Sequence, residues 1–294
     1  MRLMELCRAD SRNRSEAVTA APLEKPSVVV AARRRRRWRP ASAVRRGVLG
    51  LFLFVTLIEV VPRVGIVNAD YLPPFSTVME ALSRQGATAE FWTALGETLL
   101  GWAIGFSIAM VAGVTLGIVI GSIAWLRDAT ASTIEFLRPI PSVALIPLAV
   151  LMFGTDMQAT LLLVIYASFW QVLVQVLYGV QDVDPVARET ARSYRFRPLT
   201  QVRTVIWPTA LPYVMTGFRL AASVALILEI TGELIIGTPG LGNRIGVAQS
   251  SGAAPAMYGL VIVAGLLGVL MNTVARSVQT RVLRWHPSVR GEHA

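Results

Sequence analysis

The sequence predicts an all-α, polytopic membrane protein with about six transmembrane helices and a short cytoplasmic helix between the fourth and fifth spans. Three observations carry this. First, the chain is 54% hydrophobic and 16% charged, where a soluble domain carries roughly 25% charged residues, and its mean hydropathy is +0.56. Second, its apolar runs are long. Leu95 to Ile123 contains Glu97 as its one charged residue, and Met257 to Ala275 contains none; about 18 such residues cross a bilayer. Third, one polar, arginine-rich stretch, ETARSYRFRPLTQVRTVIWPTALP from Glu189 to Pro212, lies between two apolar runs. The spans must be helices, because only helices and closed barrels satisfy backbone polar groups in lipid.

Residues 1–46 read as a basic, mostly disordered cytoplasmic tail ending in RRRRRWRPASAVRR. Its arginines can lie on anionic headgroups, each contributing about 1 kcal/mol near the surface. The net charge of +10 would suggest nucleic acid in a soluble protein, but its concentration in the tail and in one set of loops points to membrane lipid instead, so no nucleic-acid partner is expected. Arg45-Arg46 before GVLGLFLFV, and Val67-Asn68-Ala69 after it, also fit a twin-arginine or secretory signal. The long tail and the interruptions at Glu59 and Pro62-Arg63 favour a retained first span.

A transmembrane domain over 47–276 follows, with spans near Gly47–Val67, Ala94–Ile123, Thr133–Phe153, Ala159–Val180, Pro212–Ile236 and Pro255–Ala275, then a cytoplasmic tail over 277–294. With the N-terminus inside, 25 of the 28 Lys and Arg residues fall on the cytoplasmic side and only Arg63, Arg84 and Arg244 on the other. Basic residues mark cytoplasmic loops, so both termini and the Glu189–Pro212 stretch are expected in the cytoplasm.

The composition also excludes chemistry. Cys7 is the single cysteine, and His286 and His293 are the only histidines, both near the C-terminus. An intramembrane zinc or histidine centre is therefore not available, and no metal site is expected. There is no Gly-x-x-x-x-Gly-Lys-[Ser/Thr] loop to cradle nucleotide phosphates. Glu229 and Glu233 lie one turn apart on one face of the fifth span, and ionisable residues at membrane depth face a cavity or a partner. Without a nucleophile, metal or histidine beside them they do not make an enzyme. They read as a polar wall at a pathway or gate, or as a structural pair bonded to neighbouring helices. Pro139, Pro141 and Pro147 kink or break the third span, which is tolerated where the backbone lines water or is buried in protein. Gly101, Gly105, Gly113, Gly117 and Gly121 recur at small-xxx-small spacing in the second span, permitting either close packing within the chain or a mobile contact along a pathway.

In the polar stretch, Asp184 is an N-cap candidate and Pro185 suits the first helical position. Nothing breaks a helix from Val186 to Phe196, and Arg197-Pro198 should end it. Ala187, Ala191 and Tyr194 share one face, and Arg188, Arg192 and Arg195 another. Such a helix docks in a partner's groove or lies on headgroups.

Glu189-Thr190-Ala191, Val205, Trp207-Pro208 and Pro212 resemble the EAA loop of ABC importer permeases. In that family the pattern is Glu-Ala-Ala, a glycine six positions after the Glu, a branched apolar residue at plus 16 and Leu-Pro at plus 18 and 19. Glu189, Ala191, Val205 and Pro208 match; Thr190 and Trp207 are substitutions, and the glycine position is Arg195. Because glycine there lets the chain turn, Arg195 either shifts the turn toward Arg197-Pro198 or lets the helix run on. The resemblance covers about Tyr71 to Trp285 through LPPFSTVMEAL, LRPIPSVALIPLAVLMFGTD and GLGNRI, and is nearest the nitrate/sulfonate/taurine branch.

The resemblance implies a non-enzymatic permease subunit that forms the pathway for a small solute, such as a sulfonate, taurine or a nitrate-like anion. Partners implied are two cytoplasmic ABC ATPases, which bind the ATP and magnesium, an extracytoplasmic solute-binding protein and a second copy of the chain. The coupling segment would comprise Ala187, Glu189, Thr190, Ala191, Tyr194, Arg195, Phe196 and Pro208, with Glu189 orienting it by pairing with a nearby arginine or a helix end. Alternatives are another importer solute, such as a thiamine-precursor pyrimidine, or a membrane scaffold or signalling protein.

Overall fold

The computed structural model describes residues 40–285, with side chains from Arg45 onward. The expected tails over 1–39 and 286–294, with Cys7, His286 and His293, lie outside the described residues. Every described element is helical: α1 (Pro40–Arg63), α2 (Phe75–Gly86), α3 (Ala89–Ser122), α4 (Ala124–Leu137), a 3-10 turn (Ser142–Leu145), α5 (Ile146–Phe153), α6 (Met157–Gln181), α7 (Pro185–Ser193), α8 (Pro198–Gln201), a π turn (Val202–Ile206), α9 (Trp207–Ile236), α10 (Leu241–Ser250) and α11 (Ala254–Val282). The chain divides into two compact units between Leu51 and Phe52, within α1; all the elements from α2 onward belong to the second. Helix already covers residues 40–46 and 277–282, which the sequence reading assigned to the tails.

Among the described residues, α3, α6 and α11 are each long and apolar enough to cross a bilayer, and two bent helix pairs bring the total to five. The remaining expected span, α1, is 24 residues long with Glu59 and Arg63 near its end. Glu59 is not idle there. Its carboxylate accepts from the Ser76 backbone N–H and hydroxyl, both at 2.9 Å, and so caps the start of α2.

The third span is not one helix from Thr133 to Phe153. α4 already starts at Ala124, and it is followed, after a bend of 82°, by the segment Ser142–Phe153. Pro139 and Pro141 lie in the break; neither can donate a helical hydrogen bond, and the helix ends at Leu137 with Arg138 still in the α region as its C-cap. Tyr166 of α6 fixes the elbow by donating its hydroxyl to the Leu137 carbonyl at 2.7 Å. The fifth span differs in the other direction. It starts before Pro212, as a rod running from Pro198 to Ile236. Pro198 and Pro208 sit at first-turn positions, where no N–H is required. The π turn at Val202–Ile206 re-routes the backbone bonds ahead of Pro208 and Pro212.

The core is a three-helix layer of α3, α6 and α9. The glycines of α3 face α6: a Cβ at Gly113 would come 2.7 Å from the Val172 Cβ, at Gly117 2.7 Å from the Val176 Cβ, and at Gly121 2.9 Å from the Val180 Cβ. The four-residue spacing therefore serves packing within the chain, with a valine of α6 filling the space left at each glycine. Trp102 stacks on Phe106, with ring centroids 5.4 Å apart, and donates its indole N–H to the Ala222 carbonyl at 2.9 Å, joining α3 to α9.

Candidate functional site

The polar stretch folds into an exposed arm. Asp184 caps α7 as the sequence indicates, accepting from the Val186 N–H at 2.8 Å, with Pro185 at the first helical position. The arm is tied to the membrane helices at two points. Arg188 turns inward and donates to the Val180 carbonyl at 2.9 Å, and Tyr213 of α9 donates to Asp182 at 3.0 Å. Ala191 is buried, whereas Ala187, Glu189, Thr190, Arg192, Tyr194, Arg195 and Phe196 are exposed, and Pro208 is half-buried at the start of α9. Tyr194 is 74% exposed and lies 6.4 Å, centroid to centroid, from the Phe196 ring. Thr190 spends its hydroxyl on the Val186 carbonyl at 2.8 Å. Among the described residues Glu189 makes no ion pair, so the expected pairing with a nearby arginine is not formed there.

Arg195 is where the sequence reading has to be corrected. The turn does not move to Arg197-Pro198, and the helix does not run on to Phe196. α7 stops at Ser193, and Arg195 itself takes the left-handed conformation, φ 53°, alone among the described non-glycine residues. The Phe196 N–H reaches back to the Ala191 carbonyl at 3.0 Å and the Arg195 N–H to the Arg192 carbonyl at 2.9 Å. This pair of bonds is the Schellman motif, which places a left-handed residue just past the helix end and satisfies the last carbonyls. Two further backbone bonds thus hold an L residue where glycine costs less. Pro198 then opens the rod rather than closing the arm.

The far end of the rod holds the two carboxylates. Glu233 is 1% exposed and Glu229 3%. The Thr98 hydroxyl of α3 lies 2.7 Å from Glu233 Oε1 and 3.0 Å from Oε2, to which it donates, and it accepts from the Leu241 N–H at 2.9 Å. Glu233 Oε2 also accepts from the Gly242 N–H at 2.8 Å. One carboxylate and one hydroxyl therefore clamp three elements: α3, α9 and the start of α10. The glycines are required by this clamp. Gly240 has φ 150° and a Cβ there would overlap the Glu233 carboxylate, as one at Gly101 would overlap that of Glu229. Glu229 Oε2 has no hydrogen-bond partner among the described residues. Both carboxylates are enclosed within this chain, whereas Pro139 and Pro141 are exposed at the elbow, so the structure does not gather the four expected pathway residues into one surface. Thr98, Leu241 and Gly242 escape a sequence reading, because Thr98 and Glu233 are 135 residues apart. The GLGNRI run after Glu233 is the one local signal. Among the described residues no cluster of three or more metal-ligating side chains occurs.

The chain is thus a helical membrane protein with an exposed, capped arm tied to a long rod that carries two buried carboxylates at its far end. The chain belongs to the family of binding-protein-dependent transport system inner membrane components, whose model matches residues 113–285. It is 29% identical to the taurine transport system permease protein TauC of Escherichia coli (strain K12), covering 86% of this chain and 94% of the relative. It is 26% identical to the aliphatic sulfonates transport permease protein SsuC of Bacillus subtilis (strain 168), over 90% of this chain and 96% of that one. The nitrate import permease protein NrtB of Leptolyngbya laminosa is 26% identical over 66% of this chain and 69% of its own length. The fold matches that of a chain of the MetNI methionine ABC transporter in an inward-facing conformation, with a TM-score of 0.57 and 19% identity over 66% of this chain and 96% of that one. The protein is thus an ABC importer permease subunit of the inner membrane, similar to the sulfonate, taurine and nitrate permeases.

Proposed function

We propose that this chain forms the translocation pathway for a small sulfonate, taurine or nitrate-like solute, and that α7 is the lever through which ATP hydrolysis elsewhere moves it. Two copies would enclose the pathway, two ATPase subunits would bind ATP and magnesium on the cytoplasmic side, and a binding protein would deliver the solute from outside. Both termini lie in the cytoplasm in this reading, as the distribution of Lys and Arg requires. Coupling between distant sites needs an element whose position both sites bias. The observation that carries the reading is mechanical: the exposed α7 joins, through the Arg195 turn, the rod Pro198–Ile236, whose other end is clamped to α3 and α10. Glu189 is exposed and makes no ion pair among the described residues, and in this reading it pairs with a cation of the ATPase.

The test is co-purification from native membranes through a C-terminal tag, comparing the wild type with Glu189→Arg. An ATPase that accompanies the wild type and is lost, or left unresponsive to solute, in the variant supports the lever. Absence of any ATPase in mild detergent, with the variant altering only lipid association, refutes it.

A further inference from the structure

On the side of the molecule opposite α7, the starts of α3 and α10 border an open cavity of about 440 Å³. Its charged lining is mixed: Glu90 and Glu97 from α3, and Arg244 from α10. Arg244 differs from the other two arginines on that side. Arg63 and Arg84 each pair with a glutamate one turn away on their own helix, Glu59 and Glu80. Arg244 instead reaches across to Glu90, at 3.2 Å and 154 residues away in sequence, and its side chain is 29% exposed whereas that of Glu90 is 80% exposed. An exposed pair of this kind is held weakly, so an incoming acid group can take the guanidinium from Glu90. Glu97 lies two turns further along α3 and makes no ion pair among the described residues.

We infer that this cavity is a two-point site for a short zwitterion, with Arg244 taking the acidic group and Glu97 the ammonium, the substrate entering acid group last. The inference rests on the permease reading and on the orientation given above. Charge selects the ligand. A simple anion meeting Arg244 also meets two carboxylates and gains little. A molecule carrying both charges satisfies Arg244 and Glu97 together. Spacing keeps the two carboxylates apart: Glu97 lies seven residues, about 10.5 Å, along α3 from Glu90, so the Arg244–Glu90 pair leaves it unengaged. Thr93, between the two levels on the same lining, offers a hydroxyl oxygen as a further acceptor for the ammonium.

The test uses the complete transporter, permease with its ATPases and binding protein, reconstituted in liposomes with ATP. Uptake of taurine, ethanesulfonate and nitrate is measured at equal concentration. Taurine uptake should exceed the other two at least tenfold. Glu97→Gln should lower taurine uptake about tenfold while leaving that of ethanesulfonate unchanged or raised, and Arg244→Gln should lower both. Arg84→Gln, on the outer face of α2, should change nothing. Ethanesulfonate or nitrate uptake equal to that of taurine overturns the proposal, as does an unchanged preference in Glu97→Gln or a lack of taurine uptake by a complex that hydrolyses ATP. Failure of the chain to assemble with any ATPase overturns the permease reading instead.

Discussion

Replacing Arg195 with glycine should make the exposed arm more rigid, although it removes a charge from an exposed turn. Arg195 holds φ 53° at the end of α7. The left-handed conformation costs an L residue roughly 1–2 kcal/mol. Glycine avoids that cost but loses about 0.5–1 kcal/mol more chain entropy on folding. The difference favours glycine by about 0.5–1 kcal/mol. The arginine side chain makes no ion pair among the described residues, so nothing offsets the gain. Hydrogen exchange reads this directly, because the Arg195 and Phe196 N–H groups are the donors of the turn. Their exchange should slow about two- to five-fold in Arg195→Gly, at roughly 1.4 kcal/mol per decade. Arg195→Ala retains the Cβ and should leave the rates near those of the wild type. If glycine and alanine behave alike, or glycine speeds exchange, the turn is not strained and the argument from the left-handed residue fails.

Three further substitutions test the frame around the arm. Asp184→Ala removes the cap on Val186 and should destabilise the first turn of α7 by about 1 kcal/mol, seen as faster exchange there while the Phe196 amide is unchanged. Gly117→Val places a side chain 2.7 Å from the Val176 Cβ and should cost about 1–3 kcal/mol by overpacking; thermal unfolding followed by tryptophan fluorescence should fall accordingly and recover in part with Val176→Ala. Thr98→Val keeps the shape but strands the buried Leu241 N–H and removes the donor to Glu233, so a loss of about 2–4 kcal/mol is expected; a melting curve matching the wild type would show that the clamp holds nothing.

What the sequence discloses, and what it hides, follows from distance along the chain. The start of α7 is local: Asp184 bonds a backbone group two residues on, and the cap was legible. The small-residue spacing of α3 was legible too, but the valines that fill it belong to α6, and no periodicity within α3 names them. The ends of helices were misjudged at prolines. Pro198 looks like a stop yet opens a helix, since a first-turn residue needs no N–H, and Pro212, read as the start of the fifth span, lies inside it. The conformation of Arg195 could not be read from residue type, because preference argues against it and the two backbone bonds that close the turn are seen only in the folded chain. Glu229 and Glu233 drew notice as charges at membrane depth, but Thr98 did not, since an ordinary threonine reveals its role only once α10 folds back over it.

The rod places the arm and the two carboxylates at opposite ends of one continuous element. At 1.5 Å per residue, Pro198–Ile236 is roughly 58 Å long. Along α6 it is held close at three levels: a Cβ at Gly179 would lie 2.9 Å from the Ala210 Cα, one at Gly217 3.2 Å from the Gln175 Cβ, and one at Gly232 2.7 Å from the Thr160 Cγ2. Packing this close leaves no room for the rod to flex against α6. In the lever reading, a push on α7 would reach the far side as a tilt or rotation of α6 and α9 together. The Arg195 turn at one end is held by two backbone bonds, whereas the start of α10 at the other is held both by the Glu233–Thr98 bonds and by close packing, with Leu241 fully buried and no room for a Cβ at Gly242 against the Ile230 carbonyl oxygen. A carboxylate fixes this end more specifically than an apolar contact would: it bonds the Gly242 amide and the Thr98 hydroxyl at defined distances, so it holds α10 in one register.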